Sequence, residues 1–124
     1  MICVGDPNDG ANKDLYDVST ESLRQDGVKV LQIGSNVDSF DSTTLQGANV
    51  LFVSYSPNAR EGVAHLLREI PTIEWIHARS AGIDFITSRD LTEWAGIGKH
   101  LVTNAKGSFS STLAEYTMLA CSYL

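Results

Sequence analysis

Short apolar runs alternate with longer segments in which apolar residues recur every three or four positions. The runs "ICV" (2–4), "VKVLQI" (28–33), "NVLFVSY" (49–55), "IEWIHA" (73–78) and "HLVTN" (100–104) have strand length and strand composition. The third is continuously apolar, as expected of a strand buried on both faces of a parallel sheet. Between the runs, residues 13–25 place Leu15, Val18, Ser19 and Leu23 near one face of a helix that Gly27 ends. Residues 59–69 put Val63, Leu66, Leu67 and Ile70 on one side of a second helix, which Pro71 stops. "DSTTLQG" reads as a turn or short helix, and residues 85–94 as a short helix. A last helix starts at Ser111, where Thr112 and Glu115 have the spacing of a capping box.

Regular alternation of strand and helix predicts an α/β fold with right-handed crossovers. Five strands fit a flavodoxin-like parallel five-stranded sheet in the order 2-1-3-4-5, with helices on both faces. Ligands of such sheets sit beyond the carboxyl ends of the strands. That rule selects the loops at 5–10, 54–58, 79–84 and 104–108. The last helix, "TLAEYTMLACSYL", is apolar nearly all round. A helix of that kind must be buried on every side, so it is expected to pack against something outside these residues.

Composition narrows the function classes. At 124 residues and 43% hydrophobic content, the chain suits one domain with a real core, and no linker or repeat divides it. Nine Lys and Arg against fifteen Asp and Glu give a net charge of -6. The basic residues are dispersed, so no nucleic acid is expected as a partner. No apolar segment approaches the roughly 18 residues of a membrane span, and the first residues lack signal-peptide character, so no membrane partner and a cytoplasmic location are expected. Cys3 and Cys121 form neither a disulfide framework nor a metal-ligand cluster, and no metal is expected.

Most candidate motifs have an ordinary explanation. Gly96-Ile97-Gly98 lacks the third glycine of a dinucleotide fingerprint and precedes a strand instead of following one. His65, His77 and His100 are isolated, and only His77 falls near the ligand-bearing end of the sheet. Asp6 and Asp9 could hold a hard cation, but "DPND" is also common turn chemistry, which is the preferred reading. "ARSAGID" (78–84) differs because it follows the fourth strand directly. Glycine there admits close approach to the backbone, and consecutive N–H groups can form an anion nest for a small carboxylate, with Arg79 or Ser80 nearby. A helix N-terminus with a glycine turn explains the same residues equally well.

"IPTIEWIHARSAGIDFI" followed by "LVTNAKGSFSSTLAEYTMLACSYL" resembles the D-isomer-specific 2-hydroxyacid dehydrogenase family. The shared pattern is a strand, S-x-G-x-D, then V-T-N-x-x-G and an A-E on the following helix. Ser80, Gly82 and Asp84, then Val102, Thr103, Asn104 and Gly107, then Ala114 and Glu115 match it in order. The likeness covers residues 47–124 and is weak before them. It implies that residues 1–111 form a flavodoxin-like substrate domain and that 112–124 begin an interdomain helix leading to an NAD-binding domain. It implies NAD or NADP as cofactor, a small 2-oxo or 2-hydroxy acid as substrate, and a homodimer. In the family, backbone amides of the S-x-G loop bind the substrate carboxylate, which maps onto Ala81 and Gly82 beside Ser80. Tyr55 and Ser56 fall within reach of substrate, and Thr112 approaches the nicotinamide. The family's cofactor fingerprint and its catalytic Arg, Glu and His have no counterpart in these 124 residues, so no catalytic residue is expected in the chain and the chain alone is expected to be inactive.

A stand-alone flavodoxin-like or receiver-like signalling module is the alternative. Asp6 and Lys106 suit a receiver, but Ser54 or Ser56 stands where its phosphoacceptor aspartate belongs.

Overall fold

The computed structural model describes residues 1–10, 21–22, 24–87 and 99–123. Five strands, β1 (Ile2–Val4), β2 (Gln32–Gly34), β3 (Val50–Val53), β4 (Trp75–Ala78) and β5 (Leu101–Asn104), form one sheet. Its order is β2-β1-β3-β4-β5 and every pairing is parallel, the arrangement expected from the sequence. Helix α1 (Ala59–Glu69) follows β3, and helix α2 (Ser110–Ser122) follows β5. A 3-10 turn, Val37–Ser39, is capped by the Asn36 side chain, which accepts from the Ser39 N–H.

The core lies between α1 and one face of the sheet. Ile2, Val4, Leu51, Val53, Ile76 and Ala78 alternate along their strands toward Ala59, Val63, Leu66 and Ile70, and all are essentially inaccessible. Burying a side chain of this size contributes about 1.5–3 kcal/mol. α1 keeps the bounds that its periodicity predicts, because the apolar stripe and the stop at Pro71 act together.

The opposite face is only half-buried, which corrects one expectation. β3 is continuous in hydrophobicity yet alternates in burial, Val50 and Phe52 being less covered than Leu51 and Val53. Phe52 stacks on His77 with ring centroids 5.5 Å apart, and Trp75 meets His77 edge-on. Thr103 Oγ1 takes a hydrogen bond from Trp75 Nε1 and pairs with His77 Nδ1, both at 2.8 Å. A groove of about 730 Å³ runs along this face toward the amino ends of the strands, lined by Met1, Leu31, Val50, Phe52, Trp75 and His77 among others. His77 thus belongs to the open face, away from the loops expected to bind ligand.

Two other boundaries move. β2 starts at Gln32 instead of Val28, because β1 offers a partner only from Ile2, which pairs with Gln32. The residues before it lead in, with the Met1 amino group donating to the Lys29 carbonyl. α2 begins at Ser110 with Phe109 as its cap residue, and no side chain caps it. Thr112 therefore lies inside the first turn, and the expected capping box does not form. Of the helix expected over 13–25, residues 21, 22, 24 and 25 are described and helical, and Gly27 reverses the chain after them at φ 82°. The rest of it lies outside the described residues, as do residues 88–94 of the short helix expected over 85–94. Residues 84–86 form a turn.

No residue of α2 is buried, and Leu113, Tyr116, Met118, Leu119 and Tyr123 are all largely exposed. Contiguous apolar surface of this kind drives association. The isolated chain is therefore expected to bind hydrophobic dyes and to self-associate in sedimentation, and the pair Met118→Lys and Leu119→Glu to suppress both. A dye-negative monomeric wild type would refute this exposure.

Burial also separates the two thiols. Cys3 is buried and Cys121 exposed, and desolvation pushes the Cys3 thiol from its ordinary 9.0 up to about 11. At neutral pH a thiol reagent should modify Cys121 promptly and Cys3 only on unfolding. Because the folded pKa is the higher one, stability is undiminished below 9.0 and declines as pH rises toward about 11. Thermal midpoints of wild type and Cys3→Ala across that window check it: the variant should lose the smaller amount.

Candidate functional site: a row of loops at the carboxyl edge of the sheet

The register aligns the strand ends. Gly34 pairs with Val4, Val4 with Val53, Val53 with Ala78, and Ala78 with Asn104. Each following loop therefore leaves from the same edge. The Gly5, Ser54 and Arg79 amides extend the ladder one step by donating to Gly34, Val4 and Val53. Beyond that step the backbones turn, and the candidate residues lie there.

After β1, the Asp6 carboxylate accepts from the Asn8 N–H at 2.8 Å, the Asx turn expected of "DPND". Among the described residues no group of three His, Cys, Asp or Glu is placed to hold a metal ion. After β3, Ser54 is buried and its hydroxyl lies 3.3 Å from Arg79 Nη1. Tyr55 points outward, 66% exposed, with its ring edge-on to Phe85 at 5.6 Å. That contact ties the loop after β3 to the segment after β4. Ser56 turns inward at 6% exposure, and its hydroxyl has no hydrogen-bond partner among the described residues. The Ser56 side chain is thus withdrawn from the surface on which Tyr55 stands.

The loop after β4 is held carbonyl by carbonyl. The Ser80 carbonyl accepts from the Ala105 N–H at 3.2 Å, the Ala81 carbonyl from Asn104 Nδ2 at 2.8 Å, and the Gly82 carbonyl from the Ser80 hydroxyl at 2.7 Å. In a planar trans peptide the carbonyl and the next N–H point in opposite directions. The N–H groups of Ala81, Gly82 and Ile83 are consequently turned away from these three partners. They make no hydrogen bond among the described residues. Arg60 reaches across from α1 and donates to the Asp84 carbonyl at 3.0 Å, holding the far end of the loop. These three consecutive amides lie on a loop that is exposed at Ala81 and Gly82 and half-buried at Ile83, and they are its candidate donors to a ligand. The Asp84 carboxylate lies near Gly82, and the cationic side chains of Arg60, Arg79 and Lys106 come from the same loops and helix start.

Gly82 needs no left-handed backbone, and a Cβ there would meet nothing closer than Asp84 Oδ2 at 3.8 Å. Neither conformation nor packing requires a glycine at this position. Thr112 stands apart: it is exposed in the first turn of α2, with no side-chain hydrogen bond among the described residues. The Tyr55–Phe85 contact brings the loop after β3 to the segment that follows residues 80–82, and no hydrogen bond among the described residues joins Thr112 to either. Asn104, which opens the loop 104–108 and belongs to the V-T-N pattern, has no role readable from the sequence; the signal for one is adjacency, since an Asn ending β5 must stand beside the loop leaving β4.

The fold and the loop define a doubly wound α/β domain with an amide-lined loop at its carboxyl edge. No protein-family model matches the sequence, and no curated protein matches it. Among solved structures, the chain is similar to D-lactate dehydrogenase from Aquifex aeolicus, whose structure holds NAD and lactic acid. The match has a TM-score of 0.59 at 22% identity and covers 95% of this chain. The chain spans 31% of that dehydrogenase's length, so the shared fold is that of one part of it.

Ser56 provides a test of the site's inner lining. A buried hydroxyl without a partner carries its desolvation cost uncompensated, about 1–3 kcal/mol. Ser56→Ala is therefore expected to leave the thermal midpoint unchanged or to raise it. A clear fall would show that the hydroxyl is satisfied in solution.

Proposed function

We propose that the chain is the carboxylate-binding part of the substrate domain of an NAD- or NADP-dependent D-2-hydroxyacid dehydrogenase acting on a small 2-oxo or 2-hydroxy acid. The observation that carries this reading is the set of three amides, Ala81, Gly82 and Ile83, at the carboxyl end of β4 that make no hydrogen bond among the described residues. It is supported by the shared fold with a dehydrogenase whose structure holds lactic acid, and by the S-x-G-x-D and V-T-N-x-x-G pattern that the sequence carries. A carboxylate can accept from several backbone N–H groups at once, and such charge-assisted bonds are the strong ones. Ser80 shapes the loop from within, and Tyr55 forms the wall on the β3 side. Ser56 contributes only through its backbone.

In this reading residues 1–111 are the substrate domain, α2 leads toward a cofactor-binding domain, and Thr112 faces the nicotinamide. The whole protein would be a homodimer. Hydride transfer requires a nicotinamide cofactor held against the substrate and a proton-transfer group. The chain supplies the grip on the carboxylate and the orientation of the acid. It is expected to show no turnover of NADH or NADPH with glyoxylate, hydroxypyruvate or pyruvate.

Titration of the ¹⁵N-labelled chain with sodium D-lactate tests the reading. The amide resonances of Ala81, Gly82 and Ile83 should shift together and saturably, and equal ionic strength of sodium chloride should not reproduce the effect. Gly82→Ala should fold with an unchanged thermal midpoint, because its Cβ has room, yet bind D-lactate more weakly, because the methyl group obstructs close approach to the backbone. Shifts confined to other parts of the chain, or turnover by the chain alone, would overturn the assignment.

A further inference from the structure

We propose that Asn104 is a positioning residue for this site: its side chain aims the Gly82 amide by holding the Ala81 carbonyl. The inference rests on the carboxylate-binding reading above and adds the residue that makes the loop a directed donor. Of the three carbonyls that set the loop, the one on Ser80 is held by backbone and the one on Gly82 by the loop's own serine. Only the Ala81 carbonyl depends on a side chain from another strand, through Asn104 Nδ2 at 2.8 Å.

The Asn104 carboxamide is itself fixed at both ends. Its Oδ1 accepts from the Lys106 N–H at 3.2 Å while its Nδ2 donates to Ala81. One face needs an acceptor and the other a donor, so a carboxamide of this length satisfies both. An aspartate would keep the Lys106 turn and set an anionic oxygen against the Ala81 carbonyl. The register places Asn104 for the task, because it pairs with Ala78 at the last position of β4.

Gly82 explains why such a holder is needed. Without a Cβ the residue lets a ligand come close to the backbone, and for the same reason it leaves the preceding peptide plane free to rotate. Freed from Asn104, the Ala81–Gly82 peptide could swing and carry its N–H away from the other two amides. Asn104 restores the direction that glycine gives up. Its side chain acts through the backbone and does not itself contact the anion.

The test uses the full 124-residue chain and sodium D-lactate as probe, comparing wild type with Asn104→Ala and Asn104→Leu by ¹⁵N spectroscopy. Both variants should bind D-lactate about tenfold more weakly, the size expected when one hydrogen bond's worth of orientation is lost. The Gly82 amide should also gain mobility in its heteronuclear NOE, while amides of β1 and β3 stay unchanged. A merely structural role would lower the thermal midpoint without changing the affinity of the folded molecules. If wild type shifts at residues 81–83 and both variants bind within twofold of it, positioning is overturned and the carboxylate reading stands. If wild type shows no shifts at the loop, the carboxylate reading fails instead. Should either variant fail to fold, the scalar coupling across the Asn104 Nδ2 to Ala81 carbonyl hydrogen bond decides in the wild type. A measurable coupling with a rigid Gly82 supports the proposal, and its absence refutes it.

Discussion

Parallel pairing in a common register is the constraint on which the rest depends. Because Val4, Val53, Ala78 and Asn104 end their strands in one row, the loops that follow are neighbours in space while far apart in sequence. The same row makes three carbonyls of the loop after β4 reachable from β5 and from Ser80. The intervening amides are left without a hydrogen bond among the described residues.

Packing divides the molecule into a settled half and an open half. One face of the sheet closes on α1 through side chains that alternate along every central strand, which holds the register rigidly because a slip of one residue would turn each of them outward. The other face keeps Phe52, Trp75 and His77 around a broad groove, and α2 stands with its apolar residues in solvent. The groove lies toward the amino ends of the strands. Small ligands of open α/β sheets bind at the opposite edge.

The division of labour at the loop follows elementary peptide chemistry. Glycine at position 82 serves neither a left-handed turn nor a tight contact. The donors around it fix the carbonyls of the loop: a backbone amide, a serine hydroxyl and a carboxamide, with Arg60 at the far end. On the neighbouring loop Tyr55 stands outward and the next residue, Ser56, turns into the interior.

Much of this was legible in the chain. Period-two runs and 3.6-period segments specify which elements form, the stop at Pro71 and the turn at Gly27 bound them, and their alternation specifies a parallel sheet. The position of "SAGID" directly after a strand marks a loop of interest, because local patterning carries the end of a strand in its own residues. Other features depend on contacts between residues distant in sequence. Burial of β3 on one face and half-burial on the other depends on what covers each face, the shorter β2 depends on where β1 begins to pair, and the failure of Thr112 to cap α2 depends on the turn before it. Which partners the carbonyls of "ARSAGID" find is likewise invisible in those seven letters. Tertiary structure decides it, because the Ala81 carbonyl accepts from Asn104, carried to the loop by the pairing of β5 with β4.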